Sequence, residues 1–71
     1  MNAQRKKSQA FCDKWNSAHA IGSAVKYHHI IGEPEFTEHA TRTEAYVCDA
    51  GYPVIFLHGV SGFVALEAVE V

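Results

Sequence analysis

The sequence predicts a mainly β fold: a small five-stranded antiparallel barrel with one N-terminal α-helix packed on it. Three observations predict it. Helical spacing of apolar residues is confined to the segment before residue 18, and beyond Gly22 the period falls to two. The last third then holds two apolar runs, Pro53-Val-Ile-Phe-Leu57 and Phe63-Val-Ala-Leu66, joined by His58-Gly59-Val60-Ser61-Gly62. This is the pattern of a β-hairpin with a wide or bulged turn. The division is a helix over residues 3–18 and a barrel over 22–71, within a single domain spanning 1–71.

From Ala3 to Ser17 there is no Pro or Gly, and Phe11, Trp15 and Ala18 recur at i, i+4 and i+7, with Ser8 and Cys12 beside them. Such a narrow stripe on a polar segment suits a helix laid on a core. Too short and polar to persist alone, it is expected to draw its stability from docking Phe11 and Trp15. After Gly22, Val25 and Tyr27 alternate with Lys26 and His28, giving a first strand over Ala24–Ile30. Gly32-Glu-Pro34 reads as a loop. Phe36–Arg42 is ambiguous between strand and exposed hairpin arm. Thr43, Ala45 and Val47 alternate with Glu44, Tyr46 and Cys48, predicting a strand over Arg42–Cys48. Asp49-Ala50-Gly51-Tyr52 is a turn, with Gly51 free to take a positive φ, and Pro53 opens the next strand where a missing N–H is tolerated. Glu67-Ala68 reads as a short helical turn before Val69 and Val71 return to the sheet.

In the run Val54-Ile-Phe-Leu57, alternation places Val54 and Phe56 inside the barrel and Ile55 and Leu57 outside. Outward Ile and Leu need a cover, either the Phe11/Trp15 stripe or a second subunit. Burying these four side chains is worth on the order of 6–12 kcal/mol in gross terms, comparable to the net stability of a domain.

With 71 residues, 48% hydrophobic and 20% charged, the composition is that of an ordinary folded domain near the lower size limit for a single core. No stretch reaches the roughly 20 apolar residues needed to span a bilayer, and Met1-Asn-Ala-Gln-Arg-Lys-Lys-Ser8 leads into no apolar signal core. A cytoplasmic location without membrane contact is expected. Cys12 and Cys48 are read as reduced thiols rather than a bridge. The net charge is −2, unevenly spread: residues 1–26 hold Arg5, Lys6, Lys7, Lys14 and Lys26 against Asp13, while the remainder holds Arg42 against seven acidic residues. The simpler reading is a basic segment lying on its own acidic domain.

Gly22-Ser-Ala-Val25-Lys-Tyr27 resembles the opening strand of an SH3-like small barrel. Residues 32–42 sit where that fold carries its long first loop, and Gly62-Phe-Val64-Ala-Leu66 with Ala68-Val69 resembles its closing strand, helical turn and last strand. Gly32-Glu-Pro-Glu, Thr41-Arg-Thr-Glu-Ala45, Pro53-Val54 and Gly62-Phe-Val-Ala-Leu-Glu-Ala-Val69 are similar to small uncharacterised proteins of bacteriophages, plasmids and other mobile elements. That resemblance implies a compact accessory protein. Plasmid-borne type II dihydrofolate reductases use a barrel of this sort, in a tetramer whose active pore is lined by a Val-Gln-Ile-Tyr strand. The corresponding stretch here, Phe63-Val64-Ala65-Leu66, lacks both polar pore residues, so the activity is not carried over.

His28, His29, His39, Cys48 and His58 invite a metal site, with His28 and His58 the pair to watch. No close Cys-x-x-Cys or His-x-x-x-His pair accompanies them, and adjacent His28 and His29 point to opposite faces of a strand. No metal or cofactor is expected. Catalysis through Cys48 or Ser61 needs a neighbouring histidine and an oxyanion site that nothing in the sequence supplies, and Glu33, Glu35, Glu38 and Glu44 read as a solvated rim rather than paired acids. The expectation is therefore a non-enzymatic module that binds a protein partner or itself, through Trp15, Tyr46, Ile55 and Leu57. Tyr27, Tyr52 and Phe36 enlarge the aromatic supply. The alternatives are nucleic-acid binding through Arg5, Lys6, Lys7 and Lys14, with Trp15 or Tyr27 stacking, and a ligand-binding or catalytic pore in a homo-oligomer.

Overall fold

One helix, α1 (Ala3–Ala18), precedes six short strands: β1 (Ala24–Tyr27), β2 (Thr37–Ala40), β3 (Tyr46–Val47), β4 (Pro53–Phe56), β5 (Phe63–Ala65) and β6 (Val69–Glu70). A 3-10 turn, Leu66–Ala68, joins β5 to β6. This is a computed structural model describing residues 3–71. The strands form two three-stranded antiparallel sheets, ordered β2-β1-β6 and β3-β4-β5. The architecture is thus α+β: in place of the five-stranded barrel expected from the sequence, the described residues form six strands divided between two sheets. The sheets meet at one bridge between Thr41 and Leu57, flanked by Arg42 N–H donating to the Phe56 carbonyl and His58 N–H to the Ala40 carbonyl.

The division has a local cause. The expected strand Arg42–Cys48 survives only as Tyr46–Val47, because its first half bonds elsewhere. The Thr43 hydroxyl donates to the Glu44 carbonyl at 2.9 Å, and the Ala45 N–H donates to Asn16 Oδ1 at 2.8 Å while Asn16 Nδ2 donates to the Ala45 carbonyl at 3.0 Å. The Asn16 amide thus acts as a peptide group would in a neighbouring strand, and a helix side chain closes that edge of the sheet. The ambiguous segment 36–42 resolves into β2, paired residue for residue with β1 from Ala24↔Ala40 to Tyr27↔Thr37.

The helix docks on a face rotated from the expected one. Ser8, Cys12 and Trp15 are buried, whereas Phe11 remains 41% exposed. The reason is polar: Ser8, only 2% exposed, donates its hydroxyl to the Gly51 carbonyl at 2.7 Å, and the Arg5 guanidinium bonds the carbonyls of Cys48 and Asp49. Gly51 takes φ +94° as the turn requires, presenting its carbonyl to the helix.

One core lies between the helix and both sheets. Cys12 and Trp15 meet Ile55 and Leu57 in the same cluster as Val25, Ala45, Val64, Leu66 and Val69. Ile55 and Leu57 are 0% exposed, so the sidedness of β4 is the reverse of the expected one: these two point inward, and Val54 and Phe56 occupy the other face. The run is apolar at every position, so alternation fixes which residues share a face but not which face is inside. The cover that Ile55 and Leu57 require is supplied by the chain itself.

Candidate binding face

The reversal of β4 builds a surface. Residues opposite one another in an antiparallel pair share a face, so the outer face of the β3-β4-β5 sheet carries Tyr46 against Val54, Val54 against Ala65, and Phe56 against Phe63. The Tyr46 and Phe56 rings lie 6.2 Å apart and nearly parallel at 14°. Phe63 meets Phe56 edge-on at 6.2 Å and 81°, and the Arg42 guanidinium sits 4.9 Å from the Phe56 centroid. Such offset and edge-on pairs are the favoured ring geometries, and a cation over the outer ring is attracted by its π face. Tyr46 is 38% and Phe63 53% exposed, so three rings form a ladder on the solvent side.

Beside the ladder runs a largely apolar groove of about 320 Å³, floored by Val54 and Ala65 and walled by Cys48, Tyr52, Pro53 and Phe63, with Glu67 its one charged lining residue. Its far end passes across Tyr52 and Pro53 to the flank of α1, where Lys7 and Phe11 line a second hollow of about 290 Å³. From Ala50 to Leu66 the chain carries no Asp, Glu, Lys or Arg, so the charged groups beside the face, Arg42 and Glu67, come from outside this stretch. The backbone N–H of Tyr52 does most to lower the Cys48 thiol pKa below its ordinary value; burial opposes it, and the N–H groups of Ala50 and Gly51 add smaller lowering effects. Cys12, by contrast, is raised by burial and then by the Asp13 carboxylate. Both cysteines are free thiols.

The expected interface residues are dispersed. Tyr46 lies on the exposed ladder, Trp15 is buried against the His19 ring at 4.2 Å, and Ile55 and Leu57 are enclosed in the core and offer a partner nothing. Phe56 and Phe63 take their place on the sheet. The signal for them was the pairing of the two runs: once Tyr46 is placed outside, the β3–β4–β5 register carries Phe56 and Phe63 with it.

The basic residues do not converge either. Arg5 is bound to the carbonyls of the 48–49 turn, and Lys26 lies 5.2 Å above the Phe36 ring at the opposite sheet. Lys7 and Lys14 flank exposed Phe11 at helical spacing, and Lys6 points about 100° away from Lys7. All three are exposed.

The histidines form two separate hydrogen-bonded sets, with no group of three potential metal ligands among the described residues. In the first, Thr37 Oγ1 lies 2.9 Å from His29 Nε2 and 2.7 Å from His39 Nε2, and His39 Nδ1–H donates to the His58 carbonyl at 2.8 Å. That carbonyl only accepts, so neutral His39 is protonated at Nδ1, its Nε2 accepts from Thr37, and Thr37 accepts from His29. Gly59 passes over this ring at φ +86°, where a Cβ would stand 3.3 Å from His39 Nδ1. His58 contributes a backbone carbonyl rather than its ring, so the His28/His58 pair is not brought together.

In the second set, His28 Nδ1–H donates to the Glu33 carbonyl at 2.9 Å and Nε2–H to Glu70 Oε1 at 2.6 Å. Two donor nitrogens mean an imidazolium, and the His28 pKa is raised above 6.5, first by the Glu70 hydrogen bond and then by the Glu33 carbonyl. A raised folded-state pKa adds stability that is fully present below the unfolded value and lost as pH rises through the folded value. Denaturant titrations at about pH 5.5 and about pH 8.5 should therefore show a larger gap between the native protein and Glu70→Gln at the lower pH. An equal gap at both would remove the ion pair as the cause.

No helix among the described residues is long and apolar enough to cross a membrane. The chain matches no family model, no curated protein and no solved structure.

Proposed function

We propose that the protein is a small non-enzymatic binding module, an SH3-like barrel elaborated by a helix, that engages proteins through the outer face of β3-β4-β5. The observation that carries this reading is the Tyr46–Phe56–Phe63 ladder. A chain of this size has little apolar surface to spare, yet it leaves three adjacent rings on one sheet face beside an apolar groove. Exposed aromatic anchors next to a concavity are what protein interfaces concentrate on. The resemblance to accessory proteins of phages and other mobile elements is compatible with a module whose work is contact rather than chemistry.

Nucleic-acid binding through α1 has the support of Lys7 and Lys14 around exposed Phe11. It is weakened by Arg5, whose guanidinium holds the domain together, and by the divergence of Lys6.

Selection of binders from a random displayed peptide library, followed by amide chemical-shift mapping, separates the two. On the proposed reading the selected peptides perturb Tyr46, Val54, Phe56 and Phe63, and Tyr46→Ser weakens binding by about tenfold or more. Perturbation confined to α1, with single-stranded oligonucleotide displacing the peptide in a salt-dependent way, would overturn it.

A further inference from the structure

The two edges of the β3-β4-β5 sheet are treated differently. The β3 side is closed by α1 through Asn16. The β5 side is open. Arg42 N–H donates to the Phe56 carbonyl, so the Phe56 peptide groups point toward the bridge side of β4. Peptide groups alternate along a strand, so those of Ile55 point to β5 and exchange with Val64, its partner in register. The N–H and C=O of Phe63 and the N–H of Ala65 consequently face away from the sheet. The Ala65 carbonyl is taken by the 3-10 turn that it caps.

Open edges elsewhere in the fold are guarded by charge: Glu38 stands in β2 and Glu70 in β6. β5 is Phe-Val-Ala, without charge or proline, and unguarded edges of this kind are templates for another strand.

The side chains on the β5 edge say which strand. Phe63 projects from the outer face, 53% exposed, and the groove floored by Ala65 lies two residues along the same strand. We propose that β5 pairs antiparallel with β5 of a second copy about a two-fold axis at Val64. In that register Phe63 of each copy lies opposite Ala65 of the other, and each ring enters the other copy's groove. The knob and the hole are self-complementary, as an isologous contact demands. A cavity of about 150 Å³ accommodates benzene, so the groove of about 320 Å³ has room for the ring.

Charge agrees with this occupant. Glu67 is the one charged side chain lining the groove, and the entering strand, Phe-Val-Ala, brings no acidic group to meet it. A standard interface takes roughly 800 Å² from each partner, about a sixth of the 4687 Å² surface of this chain. Tyr46, Phe56 and Tyr52, around the paired strands, supply the apolar surround.

The inference rests on the reading of this face as a protein-binding surface and names its first occupant. Sedimentation equilibrium of the full chain from about 10 µM to about 1 mM, a range that spans weak to moderate self-association, measures the mass. Hydrogen exchange over the same range reads the edge. The expected result is a monomer–dimer equilibrium in which the Ala65 amide, donating to the Phe63 carbonyl of the second copy, gains protection with concentration while Val64 is protected throughout. Phe63→Ser and Ala65→Glu should each weaken dimerisation about tenfold or more.

Phe63→Ser alters an exposed side chain, so it remains informative if Ala65→Glu fails to fold. A monomer at every concentration overturns the dimer, as does a dimer indifferent to Phe63→Ser whose Ala65 amide exchanges freely. Peptides that still shift Tyr46 and Phe56 on a strict monomer would leave the binding reading standing without it.

Discussion

Ile55→Ala should cost about 2–5 kcal/mol of unfolding free energy, the range for emptying a large aliphatic site in a core that relaxes only partly. Ile55 is wholly enclosed between the helix and both sheets, and its loss breaks contacts to every layer at once. For a domain of this length the net stability is on the order of 5 kcal/mol, so the variant should be substantially unfolded at 37 °C. Phe56→Ala provides the contrast. Its ring lies on the outer face, half-buried under Arg42 and Tyr46, so the loss should be about 1–2 kcal/mol, mostly ring–ring and cation–π contact. Urea titrations with a common m-value decide the matter. A larger cost for Phe56→Ala than for Ile55→Ala would mean that β4 is turned the other way.

Asn16→Ala is the second large effect. It strips both partners from the Ala45 peptide, leaving a part-buried N–H and C=O unpaired. Each such group costs about 1–3 kcal/mol, so a total of about 2–6 kcal/mol is expected. Asn16→Asp retains the acceptor but loses the donor and should fall between. Lys14→Ala, on the same helix but exposed, should move stability by less than about 0.5 kcal/mol. If Asn16→Ala behaved like Lys14→Ala, the helix would not be closing the β3 edge. Its exposure in the Asn16 variant should also promote aggregation on heating, read by light scattering.

Much of the frame was legible. The helix stands where the absence of Gly and Pro and the spacing of Phe11, Trp15 and Ala18 place it, β1 starts at Ala24 as expected but ends at Tyr27 rather than Ile30, and the 51–52 turn, the β4–β5 hairpin and the closing 3-10 turn follow from local patterning. What escaped the sequence was set by contacts distant along the chain. The strand expected over Arg42–Cys48 is shortened by Asn16, twenty-nine residues away, and no local pattern announces an amide that will imitate a peptide. The helix face is chosen by Ser8 and Arg5 bonding carbonyls of the 48–51 turn, so the stripe that hydrophobicity suggests, Phe11 with Trp15, is rotated. The β4 run Val54-Ile-Phe-Leu57 is apolar on both faces, and its sidedness comes only from what packs on each. For the same reason the candidate face was half visible: Tyr46 was legible as outward, while Phe56 was placed inside with Val54, the reverse of the orientation β4 takes.

Beyond the apolar contact of Cys12 and Trp15 with Ala45, the helix holds the 45–51 segment through hydrogen bonds to main-chain atoms: the amide of Asn16, the hydroxyl of Ser8 and the guanidinium of Arg5 meet peptide groups. A joint that reads backbone is indifferent to the letters written on it. Cys48, Ala50 and Tyr52, which line the groove, are therefore open to mutation without unseating the helix, provided Gly51 keeps its conformation. The chain separates what must be inherited unchanged from what may be rewritten, and the rewritable part is the wall that a partner would touch.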